Sequence, residues 1–574
     1  MNPPPEKSQY LRFDILDDLE AALGNPRDPE NLMGFDVLSA QDRSDEFPSH
    51  AIDLLNRLGI ADFYVPDADG GRLTDYLEPF WLIRTLARRS ITLAVAHGKT
   101  FLGTATAWVG ANEQQRERVS ELVRSGTPIS WGLTERDHGS DLLAGEVEVT
   151  DGRLNGSKWL INNATRGGAI VVIARTSAGG GPRGFDLVLV VKPIAETSDS
   201  DPGFRHLPKE LTHGIRGADI SGIEFVDFPV DQQAIISKPG HGLENVMKAL
   251  QLTRTLCCSL SLGATDRALH NAVRFAEERR LYNRTLIELP QAQRILSDAF
   301  ADHLLNEAMA IAVVRSIHTL PQELSVHAPA AKYFIPTRTE SALASLRGFM
   351  GARAFLDPSS IGEPPLSRIE RDHRIVSLFD GNTVVNLTSL IMQFPFMNRP
   401  DLPAESAKIV AEAPTPNLSR LSLLSRGGST MLRMLADAVD QLCELNPPED
   451  VCSASIELLS AARQILQEVT TVHWNPTEMP DSNFALAERL SCVIAGTSAL
   501  HVYLAYAGTI DSPLWGDALW LRLALPRILA MLNLDAPTTG TTADHEAATA
   551  VLRQLATTDQ GFSLLTVAIT GGFE

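Results

Sequence analysis

The feature that most restricts what this chain can fold into is a change of hydrophobic period that happens twice. Up to about residue 130, apolar residues recur every three or four positions, as in Ile52, Leu55, Leu58 and Ile60, the spacing of a buried helix face. From about 131 to 235 the period falls towards two. Glu146-Val147-Glu148-Val149 runs into Asp151-Gly152, a hairpin signal, and Leu154 resumes beyond it. Ala169 to Ala174 and Leu187 to Val191 are continuous β-rich runs, and Ile220 to Val230 closes the block. From about 240 the helical spacing returns, with long segments near 243–279, 291–318 and 330–348. Strands held between helical blocks are not the alternating order of a doubly wound sheet, and no GxGxxG follows a strand. The order predicts an α+β fold, mostly α: a helical N-terminal domain over 1–130, a middle β domain over 131–239 and a helical bundle over 240–395. Five prolines between Phe394 and Pro416 read as a linker over 396–417, and 418–574 as an extra helical domain.

A length of 574 residues exceeds what one hydrophobic core usually organises, so two or more domains are expected. Fifty basic against 70 acidic residues give a net charge of −20, which argues against nucleic acid as a partner. The five cysteines form no CxxC pair and have no histidine cluster near them. No metal site is expected, and the odd number suits a reduced chain. Met-Asn-Pro-Pro-Pro-Glu shows no basic segment followed by an apolar run, so the default location is cytoplasmic. Ser491 to Gly508 is apolar but interrupted by Thr497, Ser498 and His501, which suits a buried helix better than a membrane span. Gly179-Gly180-Gly181-Pro182 lacks both a Lys-Ser/Thr ending and a following helix, so it reads as a hairpin tip instead of a phosphate loop.

Four segments carry chemistry. The first is Trp131-Gly132-Leu133-Thr134-Glu135-Arg136-Asp137-His138-Gly139-Ser140-Asp141, and the second is Leu154-Asn155-Gly156-Ser157-Lys158-Trp159-Leu160-Ile161-Asn162-Asn163-Ala164. The third runs from Gly240-His241-Gly242 through Arg254 and Gly263 to Arg279-Arg280-Leu281-Tyr282-Asn283-Arg284. The fourth is Arg371-Asp372-His373-Arg374 followed by Phe379-Asp380-Gly381-Asn382-Thr383, and Arg347-Gly348-Phe349-Met350-Gly351 lies upstream of it. In this order, and with Gly59, Pro66 and Gly70-Gly71 before them, they resemble the FAD-dependent acyl-CoA dehydrogenase family over about residues 45–395. The helical block after 418 is similar in length and position to the extension of very-long-chain members and some oxidases.

The resemblance implies a small β-barrel-like middle domain and a bound FAD. It places Leu133 and Thr134 beside the flavin's pyrimidine edge, and Leu160 and Asn162 where the family has a flavin-packing Trp and a Thr that reaches N5. An Asn amide can still donate there. Trp159, one position early, is expected in the core. Arg136 replaces the family's usual Pro. Arg279, with Tyr282 beside it, is implied to bind the FAD pyrophosphate across a subunit boundary, which makes a homodimer or homotetramer expected. Gly351, Gly381 and Asn382 would pass close to FAD, and Ser140 would face the substrate's pantetheine or pyrophosphate.

In the family a Glu of the fourth motif is the catalytic base. Asp380 stands there, with Arg254 near it, and Thr253 closes the alternative of a base one residue before that Arg. The implied reaction is oxidation of an acyl thioester, on CoA or an acyl-carrier protein, to its α,β-unsaturated form. Electrons would pass to an electron-transfer protein. Aspartate is one methylene shorter than glutamate, and nitroalkane oxidases of the family use Asp. Oxidase, hydroxylase or nitroalkane-oxidase chemistry with O₂, or a non-catalytic relative, therefore stands as the alternative. Asp-Gly as a plain helix-capping turn is the structural reading of the same residues.

Overall fold

The structure is a computed structural model and describes residues 14–177, 179–192, 203–356, 365–397, 409–410, 413–472, 475, 478–533, 540–558 and 560–565. Its contacts divide the chain into two compact units, one of 38–83 and 90–253, the other of 1–37, 84–89 and 254–574.

The first of these contains the sheet. Seven strands, β1 (Ile129–Gly132), β2 (Glu148–Thr150), β3 (Arg153–Asn162), β4 (Ala169–Arg175), β5 (Phe185–Val191), β6 (Phe204–Leu207) and β7 (Ile220–Pro229), follow the path β1-β4-β2-β3-β7-β6, with β5 paired to β4. The period-two texture is borne out strand by strand. Asp151 and Gly152, both at positive φ, turn β2 into β3, and the triglycine stretch lies between the antiparallel β4 and β5. β4 is buried on both faces, and within the sheet β5 runs along one of its edges while β1 and β2 follow one another along the other. Its inward residues Ile170, Val172 and Ala174 pack with Leu154, Val188, Ile223 and Phe225. β3 is irregular where it matters most. The register against β7 shifts between Trp159 and Ile161, and Leu160 in between has φ 54°.

The second unit is helical. Pro290–Thr319 starts with Pro at its first position, where the missing N–H costs nothing, and is buried almost throughout. Leu324–Met350, Asp481–Tyr506, Leu519–Met531 and Thr542–Thr557 pack around it, so residues beyond 418 share one core with the bundle. The apolar stretch near 491–508 is the buried heart of the Asp481–Tyr506 helix, as its interrupted composition suggested. Among the described residues no helix is long and apolar enough to cross a membrane.

The helix Gly242–Glu278 carries Gly263, where an added Cβ would lie 2.5 Å from the Arg84 carbonyl oxygen and 2.6 Å from the Ala87 Cβ. At that crossing a polar network is sealed in. Arg84 pairs with Asp266 at 2.8 Å and Glu307 at 3.2 Å. Burial alone would raise the Asp266 carboxyl, but the Arg84 guanidinium with His303 outweighs it and holds Asp266 far below the usual carboxylate range. Further partners come from the segment Phe562–Leu565. His303 meets the Phe562 carbonyl at 2.7 Å, Glu307 accepts the Leu564 N–H at 3.1 Å, and Trp515 donates to the Leu564 carbonyl at 2.8 Å.

One expectation is corrected. Cys443 and Cys452 form a disulfide, and Cys257, Cys258 and Cys492 are free and buried. Cys443 ends the helix Leu435–Glu444 and Cys452 opens Glu449–Thr471, and the turn through Asn446-Pro447-Pro448 brings their Cα atoms to 5.5 Å. The absence of CxxC did not speak to a pair nine residues apart.

Candidate active site

In the sheet-containing unit the first two motifs are brought together by backbone. The Trp159 N–H donates to the Thr134 carbonyl at 2.9 Å, and Lys158 Nζ donates to the Leu133 carbonyl at 3.2 Å. Lys158 also meets Glu135 at 2.7 Å, and Glu135 accepts the N–H groups of Glu146 and Val147 at 2.7 and 3.2 Å. The loop 135–147 is thus closed at its neck by one buried carboxylate. Burial would raise that carboxyl, and the Lys158 ammonium with the two N–H donors holds it below its ordinary value. Leu133 and Thr134 are half-buried at the neck, and Ser140 is exposed on the loop.

Trp159 is not a core residue. In the regular register before the bulge it alternates with the buried Lys158, so it faces outward, half-buried. The Arg136 guanidinium lies over its ring at 4.4 Å, and its Nε1 donates to Glu210 at 2.7 Å. The two departures from the family pattern, Arg for Pro and Trp one place early, are one stacked pair. Leu160 is left 43% exposed, which makes it available as an apolar wall.

Asn162 is buried at the end of β3. Its Nδ2 donates one of its two N–H groups to the Val95 carbonyl at 3.0 Å, and Oδ1 is left without a partner. Trp131 Nε1 on β1 is likewise buried and unpartnered. An apolar wall with unmatched donors and acceptors at the strand ends suits a planar ring whose edge carries both. On these residues a flavin fits.

The helical unit holds the fourth motif. Asp380 sits at φ 54° and Gly381 at 90°, on the loop between Arg374–Ser377 and the helix Thr383–Ile391. Asn382, not Asp380, is the N-cap of that helix, its Oδ1 accepting from the Val385 N–H at 2.9 Å. Asn386 Nδ2 ties down the carbonyls of Gly381 and Asn382 at 2.7 and 3.0 Å. Two buried cations hold the loop by its carbonyls. Arg254 Nε donates to the Asp380 oxygen at 3.0 Å, and Lys332 Nζ to those of Val376 and Phe379 at 2.6 and 2.8 Å. A Cβ on Gly381 would stand 3.0 Å from Arg254 Nη2, and its φ of 90° favours glycine. Burial lowers Arg254 to about 10 and lowers Lys332, while the charge of Asp380 works against both shifts. Cys257 Sγ donates to Asp380 Oδ2 at 3.0 Å, a contact the sequence did not announce.

Arg279, Tyr282 and Gly351 are not gathered with Asp380. From Arg254 to the end of the Gly242–Glu278 helix the rise of about 1.5 Å per residue gives roughly 36 Å. Arg279 is exposed just beyond that end, and Tyr282, at 89% exposure, tips the hairpin Arg280–Leu281/Arg284–Thr285. Phe275 near this end meets Phe349 edge-on at 6.0 Å, and Arg353 lies over Phe275 at 5.9 Å, which brings Gly351 into the same neighbourhood.

A sheet carrying a clasped Thr-Glu loop, with a long-helix bundle presenting a carboxylate on a gripped turn, defines a class. The chain belongs to the acyl-CoA dehydrogenase family, whose members are FAD-dependent oxidoreductases. The acyl-CoA dehydrogenase middle-domain model matches residues 130–228 and the C-terminal-domain model residues 240–394. The mitochondrial short-chain specific acyl-CoA dehydrogenase of Homo sapiens is 27% identical over 366 residues, 61% of this chain and 84% of that protein. Its Bos taurus counterpart is 25% identical over 399 residues, 66% and 88% of the two chains. The acyl-CoA dehydrogenase of Bacillus anthracis, solved in complex with FAD, is 16% identical with a TM-score of 0.68. It covers 90% of this chain and 91% of its own, so the fold it shares extends past residue 394 into the C-terminal helices.

Proposed function

We propose that this protein is a FAD-dependent dehydrogenase of acyl-CoA-type thioesters, with Asp380 as the base. The observation that carries the reading is the placement of Asp380: a half-buried carboxylate at φ 54°, its peptide held by Arg254 at 3.0 Å. Such a side chain is aimed by its backbone, and a positioned base supplies about 100- to 10,000-fold in rate. Asp380 removes the proton α to the thioester carbonyl, and its own N–H meets the oxygen on which charge develops. FAD, when bound, accepts the hydride that leaves the β carbon, so that one C=C bond replaces two C–H bonds. Thr134, with Leu133, Leu160 and Asn162, would hold the flavin ring on the sheet-containing unit; in the helical unit, Gly381 and Asn382 are the backbone positions the resemblance assigns to FAD. Ser140, exposed on the loop that Glu135 closes, would meet the pantetheine or pyrophosphate of the substrate. Arg279, Tyr282 and Gly351 would serve the FAD of a second subunit, which supports a homodimer or homotetramer. The distance of roughly 36 Å along the helix favours that division over one shared site. An electron-transfer protein would reoxidise the flavin.

The test is an anaerobic titration of the purified holoprotein with acyl-CoAs of graded length, followed at the flavin band near ~450 nm. Bleaching in the wild type and none in Asp380→Ala is the expected result. A flavin that no acyl thioester reduces would overturn the assignment.

A further inference from the structure

Asp380 is held at two points by one helix face, and only one of them belongs to the family motifs. Arg254 and Cys257 are three residues apart on Gly242–Glu278, a spacing that stacks their side chains on the same side. Arg254 takes the backbone carbonyl of Asp380 at 3.0 Å, and Cys257 takes its carboxylate, Sγ to Oδ2, also at 3.0 Å. Cys257 is 5% exposed. Lys332, buried beneath the same loop, fixes the carbonyls of Val376 and Phe379, so the backbone leading into Asp380 is also immobilised.

We infer that Cys257 is a positioning residue for the base. Its thiol fixes the rotamer of a carboxylate one methylene shorter than the glutamate of the family pattern, and Oδ1 is the oxygen that takes the α proton. The inference rests on the dehydrogenase reading above and adds to it a residue that acts through Asp380 without touching substrate. A short carboxylate on a positive-φ residue has two freedoms to lose, that of the peptide and that of χ1. Arg254 removes the first and Cys257 the second.

The experiment compares wild-type holoprotein with Cys257→Ala, Cys257→Ser and Asp380→Asn in two readouts. The first is the S–H stretching band in infrared difference spectra of wild type minus Cys257→Ser, which isolates this thiol. A thiol bonded to a carboxylate absorbs at lower frequency than a free one, and Asp380→Asn is expected to move the band back. The second is the single-turnover rate of flavin reduction by an acyl-CoA. Cys257→Ala is expected to lose about 10-fold, the rate equivalent of one hydrogen bond to a charged group. Cys257→Ser, which keeps a donor, restores most of the rate. If the wild type is reduced while Cys257→Ala keeps the wild-type rate, the positioning role is overturned and the dehydrogenase reading stands. A free-thiol band in the wild type, indifferent to Asp380→Asn, overturns the role even if Cys257→Ala does not fold. A wild type that no acyl thioester reduces removes the dehydrogenase reading and this inference together.

Discussion

Arg254 Nε donates to the backbone oxygen of Asp380 across 126 positions of sequence, and its guanidinium stands 3.0 Å from where a Cβ on Gly381 would lie. The arginine therefore shapes the turn that aims the carboxylate. Asp380→Asn should keep this geometry and lose proton abstraction. We expect flavin reduction by acyl-CoA to slow by about 100- to 10,000-fold with FAD content unchanged, measured by stopped flow. Unaltered kinetics in this variant would remove Asp380 from the reaction.

Glu135→Gln should disconnect the loop that carries Thr134 and Ser140. It leaves Lys158 buried beside a neutral amide and weakens acceptance of the Glu146 and Val147 N–H groups. Breaking one side of a buried pair costs about 3–5 kcal/mol. The expected result is a lower melting temperature together with FAD lost on gel filtration. Retention of both would mean that the clasp is dispensable.

Gly263→Ala tests the crossing of the Gly242–Glu278 helix over Arg84 and Ala87. Backbone atoms at 2.5 and 2.7 Å from the new methyl cannot yield as a flexible side-chain tip would. Overpacking of this kind costs about 1–3 kcal/mol, read as a shift of the urea midpoint with an unchanged slope.

Three buried histidines set the acid response. Burial lowers His97 to about 4 and, with the charge of His501 added, His327 to about 3; His373, beside Lys332, also falls to about 3. Their folded values lie below the unfolded value of about 6.5, so the folded state keeps them neutral while the unfolded chain takes up protons. Their stabilising contribution is complete above about pH 6.5 and is lost as the pH falls towards 4 and then 3. Denaturant unfolding at pH 7.5 and pH 4.5 should show the drop, and His97→Gln should make it shallower. A flat stability profile across that window would contradict the buried neutral assignment.

Local signals made much of the fold legible, and the rest depended on distance. Asp151-Gly152 and the runs in β4 and β5 are read from a few adjacent residues, and all three stand where the period placed them. Trp159 is outward instead of core, because it alternates along β3 with Lys158, which takes the buried side to meet Glu135. Nor did Arg136 in place of Pro reveal itself as Trp159's partner, since each departure is intelligible only when the other is seen beside it. Asp380 and Arg254 entered through motif resemblance. Cys257 did not, because nothing about a cysteine in an apolar helix distinguishes packing from a contact 123 residues away.

The short segment Phe562–Leu565, which completes the network around Arg84, Asp266 and Glu307, has a consequence for biosynthesis. The sheet-containing unit is fully encoded once Thr253 has left the ribosome, and can close while translation continues. The helical unit cannot. Its Glu307 carboxylate and His303 ring wait for hydrogen-bond partners more than 250 residues downstream, and until those emerge the nascent bundle carries an open, charged interior. A ribosome stalled before Phe562 should therefore display a protease-resistant sheet beside a bundle that chaperones still hold.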